Sequence, residues 1–198
     1  FDEAVLCVGH MGEQVQDYFG SGESVGVRLQ YSWERDTLLG TGGALRQALP
    51  LLADHCHVMY GDSYLALDYA AIEAAFQAAH KPGLMVVYQN RNSWDRSNVR
   101  LGAGVVDVYD KTGAAEGLHW IDEGVSVFTR AAVAELPAGE AVDLGVLFQA
   151  LIARGELAAW VSTQRFFEVG SESGLAEFQD LLAVSYTHLR AHETLRYL

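Results

Sequence analysis

Two acids, a lysine and a run of glycines are the residues here whose types and placing could do chemistry. Asp62 follows the apolar run Val58-Met59-Tyr60 and then Gly61, in "VMYGDSYL". An acid just past the carboxyl end of a strand lies where open α/β sheets bind ligands. A carboxylate there can hold Mg²⁺, a hard cation that prefers oxygen, and Gly61 would let the chain turn without crowding the site. Glu168, in "FFEVGSESGL", ends a second β-prone run and could complete a metal site with Asp62. In "LLGTGGALRQAL" a glycine-rich turn opens a helix. Its backbone N–H groups, around Gly40, Thr41, Gly42 and Gly43, could face a bound ligand. The loop is not a Walker A loop, because no Lys follows the glycines, and it does not fit GxGxxG. Lys111, in "VYDKTG", follows a strand at a turn. Each stretch also has a plainer reading. Asp62 could cap the next turn, the glycines could make a tight turn before a helix, and Lys111 could be a solvated turn residue. Glu168 could be a surface acid near a helix start, a placement worth only about 0.3–1 kcal/mol.

The elements that must position these residues follow from periodicity. Ala4–Val8, Val27–Tyr31, His57–Tyr60 and Leu84–Tyr88 read as strands. Between them Glu13–Phe19, Thr41–Leu52 and Tyr69–His80 read as helices, with Pro50 ending or bending the second. Strands alternating with helices of about 10 residues predict a parallel, helix-covered α/β sheet. The pattern then changes. Asn98–Tyr109 and Leu118–Phe128 read as strands joined by Gly-rich turns, and Asp143–Arg154 as a helix. Ala159–Ser162 and Arg165–Val169 read as short strands, and Ser171–Leu182 as a last helix. No repeat, low-complexity tract or linker interrupts this, which predicts one domain over residues 1–183.

Asp and Glu outnumber Lys and Arg by 26 to 13, for a net charge of −13. An acidic chain with no basic stripe is a poor wrapper of nucleic acid, although it can bind one nucleotide through a metal ion and a few local cations. No apolar run approaches the roughly 20 residues of a membrane span, and no signal peptide is visible. Cys7 and Cys56 both lie in apolar runs, as reduced thiols of a cytoplasmic protein would. Both ends look cut. The chain starts at Phe1 on the approach to a strand, and the composition shifts abruptly over "VSYTHLRAHETLRYL", residues 184–198. Val184–Thr194 resembles the translation of a sequencing-library adapter, so this tail is expected to be foreign to the fold.

Taken together and in order, these stretches resemble the sugar-phosphate nucleotidyltransferases, the NDP-sugar pyrophosphorylases. The resemblance covers nearly all of residues 1–183. "LGTGGAL" (Leu39 to Leu45) resembles the family's LGTxGAL loop, implying that Leu39, Gly40, Thr41, Gly42 and Gly43 lie along the base. "GDSYL" resembles its GD motif, implying that Asp62 binds Mg²⁺ and that Gly61 borders the nucleotide. "YDK" resembles its E-K-P motif, whose Lys, here Lys111, meets the phosphates. "IDEGVSVF" resembles its N-A-G strand, which lines the sugar pocket, and "FEVGS" its D-x-G-T motif, giving Glu168 as second metal ligand. Sugar contacts are thereby implied for Asn98, Asp110, Asp122, Glu123 and Gly124. The departures are Glu168 for Asp, Thr112 for Pro, and Asp122-Glu123 for Asn-Ala. The implied fold is a Rossmann-like three-layer α/β domain with a mainly parallel mixed sheet, lacking the family's first strand and its triphosphate-binding Gly-rich loop. The implied substrates are an NTP and a sugar 1-phosphate, with no nucleic acid or membrane partner. "WDRSNV", "YDK" and "HWIDEG" look most like a branch linked to GDP-mannose or GDP-heptose synthesis. A catalytically inactive, nucleotide-binding regulatory domain of the same build stays open, as does a nicotinamide-dependent dehydrogenase, whose GxGxxG is not found here.

Overall fold

The computed structural model describes residues 1–35, 37–93 and 95–194, without the side chains of Glu168 and of residues 184–194. The first strands, β1 (Glu3–Val8) and β2 (Arg28–Trp33), flank helix α1 (Gly12–Phe19) and pair in parallel with each other. Helix α2 (Gly40–Ala48) runs into a 3₁₀ turn at Leu49–Leu51, where Pro50 removes a backbone donor. Strand β3 (His55–Met59) and the two-residue β4 (Ser63–Tyr64) lead to α3 (Tyr69–Ala79). Asp68 caps α3 by accepting from the Ala71 N–H at 3.0 Å. There follow β5 (Gly83–Gln89), the hairpin of β6 (Val99–Gly102) and β7 (Val105–Tyr109), and the long β8 (Trp120–Thr129). The chain closes with α4 (Arg130–Val133), α5 (Gly145–Ala153), β9 (Leu157–Ser162), β10 (Phe167–Glu168) and α6 (Glu172–Thr194). The last helix extends well past the Leu182 expected from its periodicity.

Six strands form one sheet in the order β3-β8-β5-β9-β7-β6. Strands β3, β5, β6 and β9 run one way, while β7 and β8 run the other. Most strands of this sheet thus share a direction, as expected, but the adjacent pairs are mainly antiparallel. The reason is β8, which inserts between β3 and β5 and pairs antiparallel with both. Strands β6, β7 and β8 follow one another without an intervening helix, so no crossover forces them to run parallel.

The core lies on both faces of this sheet. Along β5, Leu84 and Val86 pack toward Ile72 and Phe76 of α3, while Met85 and Val87 pack toward Leu147, Phe148 and Leu151 of α5. All four β5 side chains are 1% exposed or less. That is why this strand reads as a continuous apolar run rather than an alternation. Helices on both sides of the sheet give the three layers, with the ends of β3, β7 and β8 open to one region.

Candidate active site

Asp62 stands in the turn between β3 and β4, and the fold brings Glu168 to it. Strands β4 and β10 pair antiparallel, with Glu168 opposite Ser63, the residue after Asp62. The Val169 N–H donates to the Asp62 carbonyl at 2.6 Å, closing the pair. The Asp62 carboxylate is exposed and, among the described residues, accepts one hydrogen bond, from Ser63 Oγ at 3.3 Å. The side chain of Glu168, the second expected metal ligand, lies outside the described residues. Among the described residues, no group of three or more His, Cys, Asp or Glu is arranged to hold a metal ion. The donor set still suits Mg²⁺, which commonly takes one or two carboxylates and fills the rest of its shell with water.

Gly61 differs from expectation. A Cβ there would meet nothing within 4 Å, and its φ is not left-handed, so the protein alone gives no reason for glycine. At Gly124 the reason is plain: φ is 77°, and a Cβ would come within 2.9 Å of the Tyr60 ring. Tyr60 therefore lies against β8, where its hydroxyl feels Asp122, Asp143 and Asp62. Burial first, and those three charges next, push its pKa well up.

Asp122 is half-buried beside the Tyr109 hydroxyl. Burial pushes its carboxyl up to about 6, opposed by the Gly124 N–H, which donates to Oδ1 at 2.9 Å, by the charge of Lys111 and by Tyr109. Asn98 holds this stretch in place, since its Oδ1 accepts from the Asp122 N–H at 2.9 Å. Glu123 does not join Asp122. It projects from the other face of β8, toward Ser162, Phe166 and Tyr69, because neighbouring strand residues point to opposite sides. It is 1% exposed, and neither carboxylate oxygen has a hydrogen-bond partner within bonding geometry among the described residues. The Ser162 hydroxyl lies near it but donates to the Gln164 carbonyl. Burial accordingly pushes the Glu123 carboxyl up to about 7.

Asp110 turns toward its own loop. Its two oxygens accept from the Thr112 N–H and hydroxyl and from the Ala114 and Ala115 N–H groups. These bonds, led by the Thr112 hydroxyl, pull its carboxyl down to about 2 and make it the organiser of the "DKTG" turn. Lys111, next to it, does not stand alone. Its Nζ lies 2.7 Å from both carboxylate oxygens of Asp143. Burial works to raise the Asp143 carboxyl, but Lys111 and the Gly145 N–H, at 2.7 Å from Oδ1, bring it below the usual range.

The glycine-rich loop departs most from expectation. The Gly42 and Gly43 N–H groups donate to the Val142 carbonyl at 2.9 and 3.1 Å, and the Val142 N–H returns to the Leu39 carbonyl at 2.8 Å. A Cβ on Gly43 would lie 2.5 Å from the Glu140 carbonyl oxygen, and one on Gly42 would lie 3.0 Å from the Asp143 carbonyl. These glycines let the chain at 140–144 lie against the start of α2. Leu39 is buried, and its N–H donates to the Glu34 carboxylate. Only the Gly40 and Thr41 N–H groups, at the first turn of α2, lack such a partner among the described residues. The Thr41 hydroxyl accepts from the Leu144 N–H at 2.9 Å and lies 3.5 Å from Asp143 Oδ2.

Asp62, Asp122, Asp143, Lys111, Tyr60 and Tyr109 thus form one constellation. The sequence reading did not single out Asp143 or Tyr60. Asp143 could be seen only as a polar residue at a helix start, and Tyr60 only as the end of a strand.

No protein-family profile matches the chain. Among curated proteins it is 26% identical over 131 residues to D-glycero-α-D-manno-heptose 1-phosphate guanylyltransferase of Campylobacter jejuni, covering 65% of this chain and 55% of that one. It is 25% identical over 175 residues to UTP–glucose-1-phosphate uridylyltransferase of Synechocystis, covering 78% and 44%. Over 80 residues it is 39% identical to N-acetylmuramate α-1-phosphate uridylyltransferase of Neisseria meningitidis, covering 40% and 33%. The chain is a homologue of the sugar-1-phosphate nucleotidyltransferases. It spans about half the length of the first two of these relatives. This nucleotidyltransferase homologue superposes on HddC from Yersinia pseudotuberculosis with a TM-score of 0.72 at 17% identity, covering 89% of this chain and 76% of that one. For HddC complexed with GMP-PN the TM-score is 0.70, again at 17% identity, over 87% and 75%. The Rossmann-like α/β fold expected from the sequence is the fold observed.

Proposed function

We propose that this chain carries the nucleotidyl-transfer site of an enzyme that joins an NTP to a sugar 1-phosphate, giving an NDP-sugar and pyrophosphate. The observation that carries the reading is the gathering of Asp62, Asp122 and Asp143 around Tyr60, with Lys111 among them and the Glu168 backbone one strand from Asp62. We favour the GDP-mannose or GDP-heptose type; a heptose 1-phosphate guanylyltransferase stands among the relatives, beside two uridylyltransferases.

In this reaction a sugar-phosphate oxygen forms a bond to the α-phosphorus as the bond to pyrophosphate breaks. Positioning and charge neutralisation do most of the work. Mg²⁺ held by Asp62 and Glu168 would neutralise phosphate oxygens and the charge developing on them. Lys111 draws in the sugar phosphate. Asp122, whose N–H is held by Asn98 Oδ1, accepts from sugar hydroxyls, and Asn98 Nδ2, which shows no partner among the described residues, donates to them. The Gly40 and Thr41 N–H groups border the base.

The test is calorimetric titration of the chain with GTP and with α-mannose 1-phosphate, each with and without Mg²⁺. Lys111→Ala is expected to weaken sugar-phosphate binding at least about tenfold, the scale of one charge-assisted contact, at an unchanged melting temperature. If neither ligand binds the unsubstituted chain with Mg²⁺ present, the reading fails.

A further inference from the structure

Lys111 is the cation of the constellation, yet it is already engaged. Its Nζ is 2.7 Å from both Asp143 oxygens, and the two side chains remain 50% and 52% exposed. The carboxylate is aimed rather than loose. The Gly145 N–H holds Oδ1 at 2.7 Å, and a Cβ on residue 145 would fall 2.7 Å from that oxygen. On its other side, Oδ2 lies 3.5 Å from the Thr41 hydroxyl, which is fixed by the Leu144 N–H at 2.9 Å. A planar, two-oxygen anion thus sits where a phosphate would meet the ammonium.

We infer that Asp143 is a built-in anion that occupies Lys111 in the ligand-free protein, and that a phosphate must displace it to bind. Exposed ion pairs are weak, so a dianionic phosphate can open this one. While the pair is closed, Lys111 is unavailable, and the apparent affinity falls by the fraction of time it is open. The zipping of residues 140–144 to the start of α2 adds a second consequence. Release of Asp143 frees the Thr41 hydroxyl of an acidic neighbour at the edge of the proposed nucleotide site, so filling Lys111 favours filling that edge. Asp143 is on this account a positioning residue. The inference rests on the proposed function only in naming the displacing group as a sugar phosphate.

The experiment is a double-mutant cycle on anion binding, with orthophosphate as probe and Asp143→Asn, Lys111→Met and the double variant compared. Asn keeps the acceptor for the Gly145 N–H but loses the charge. If the pair is closed about 70–90% of the time, Asp143→Asn should tighten orthophosphate about three- to tenfold, with no gain in the Lys111→Met background. A gain that persists without Lys111 would mean simple repulsion by a fixed carboxylate and would overturn the displacement. Weaker or unchanged binding would overturn it as well. Should Asp143→Asn unfold, a carbon-detected NMR titration of Asp143 in the unsubstituted chain decides. Its carboxyl should lose its low titration point when orthophosphate is saturating, and an unmoved titration refutes the idea. The same series run with α-mannose 1-phosphate separates the two claims: displacement by orthophosphate without sugar-phosphate binding would leave the inference standing and sink the proposed function.

Discussion

Gly43→Ala is the substitution for which the structure and the expectation from homology disagree most sharply. If the glycines serve a ligand, an added methyl should harm binding and spare stability. The structure says the reverse. The new Cβ would lie 2.5 Å from the Glu140 carbonyl oxygen and 2.8 Å from Leu39 Cβ. Neither neighbour is the tip of a flexible side chain, so backbone must move. Overpacking of this kind costs about 1–3 kcal/mol. The shift also strains the Gly42, Gly43 and Val142 hydrogen bonds that tie residues 140–144 to α2, each worth about 0.5–1.5 kcal/mol net. Against this, alanine is favoured over glycine in a helix by roughly 1 kcal/mol. The balance is a loss of about 1–3 kcal/mol, and at about 2–4 °C per kcal/mol for a domain of this size the melting temperature should fall by about 2–12 °C.

The assay is thermal unfolding followed by circular dichroism, with Gly61→Ala as the matched control. A Cβ at position 61 meets nothing within 4 Å, and its φ is ordinary. That variant should melt within about 1 °C of the parent or slightly higher, because alanine restricts the unfolded chain. Because Asp143 belongs to the displaced segment, Gly43→Ala should also loosen the Lys111 pair. A Gly43→Ala protein that melts with the parent would refute the claim that close approach of 140–144 is what requires glycine.

Two further outcomes follow from the site and its surroundings. Glu123 is a carboxyl raised from 4.5 to about 7 by burial. Its folded form holds the proton longer than the unfolded chain, so the contribution of Glu123 to stability is greatest below about pH 4.5, is lost as pH rises toward 7 and stays lost above. Glu123→Gln should flatten that decline and raise stability at pH 8 by up to about 3 kcal/mol, read from urea midpoints across pH; a slope identical in both proteins would show that Glu123 is not its source. For the metal, Asp62→Asn and Glu168→Gln should each weaken Mn²⁺ binding, used as a paramagnetic stand-in for Mg²⁺, by roughly tenfold or more. The double variant should be little worse than the more damaging single one, since two ligands of one ion act together, and fully additive losses would mean that the acids do not share an ion.

Much of the scaffold was legible because its signals are local. The run Leu84–Tyr88 is apolar throughout and is a strand covered on both faces. Tyr69–His80 reads as a helix and ends where His80 turns left-handed, at φ 49°, just before Pro82. Asp62 could be placed because a strand end followed by Gly-Asp is a local pattern. The insertion of β8 between β3 and β5 was not legible, since periodicity says that a strand exists but not which neighbours it takes. The Lys111–Asp143 pair joins residues 32 apart across a turn, β8, the short α4 and a loop, and an Asp just before a helix reads locally as a cap. The glycines misled for a physical reason. A chain that passes close and a ligand that binds close both demand a missing side chain, and the sequence records only the demand. Glu123 is different, because strand alternation already places it and Asp122 on opposite faces. Only one of them could line a pocket above β8, and the half-buried residue beside Tyr109 is that one.

What unites the corrected site is how it carries its acids before any ligand arrives. In a chain of net charge −13, three carboxylates converge on Tyr60, and each is managed differently. Asp122 is raised to about 6 by burial beside Tyr109. Asp143 is neutralised by Lys111 and held by the Gly145 N–H. Asp62 is exposed and, among the described residues, meets the Ser63 hydroxyl. An incoming phosphate opens the Lys111 pair and leaves Asp143 charged next to it, so the ligand adds negative charge at the moment it removes the compensation. Like charges this close are tolerated only with a cation between them. Asp62 is the carboxylate with room for one, and Glu168 is the neighbour the β4–β10 pairing brings to it. Anion binding at Lys111 and cation binding at Asp62 should therefore be coupled: Mg²⁺ should strengthen orthophosphate binding, and Asp62→Asn should abolish that enhancement while leaving the metal-free affinity for orthophosphate equal or higher.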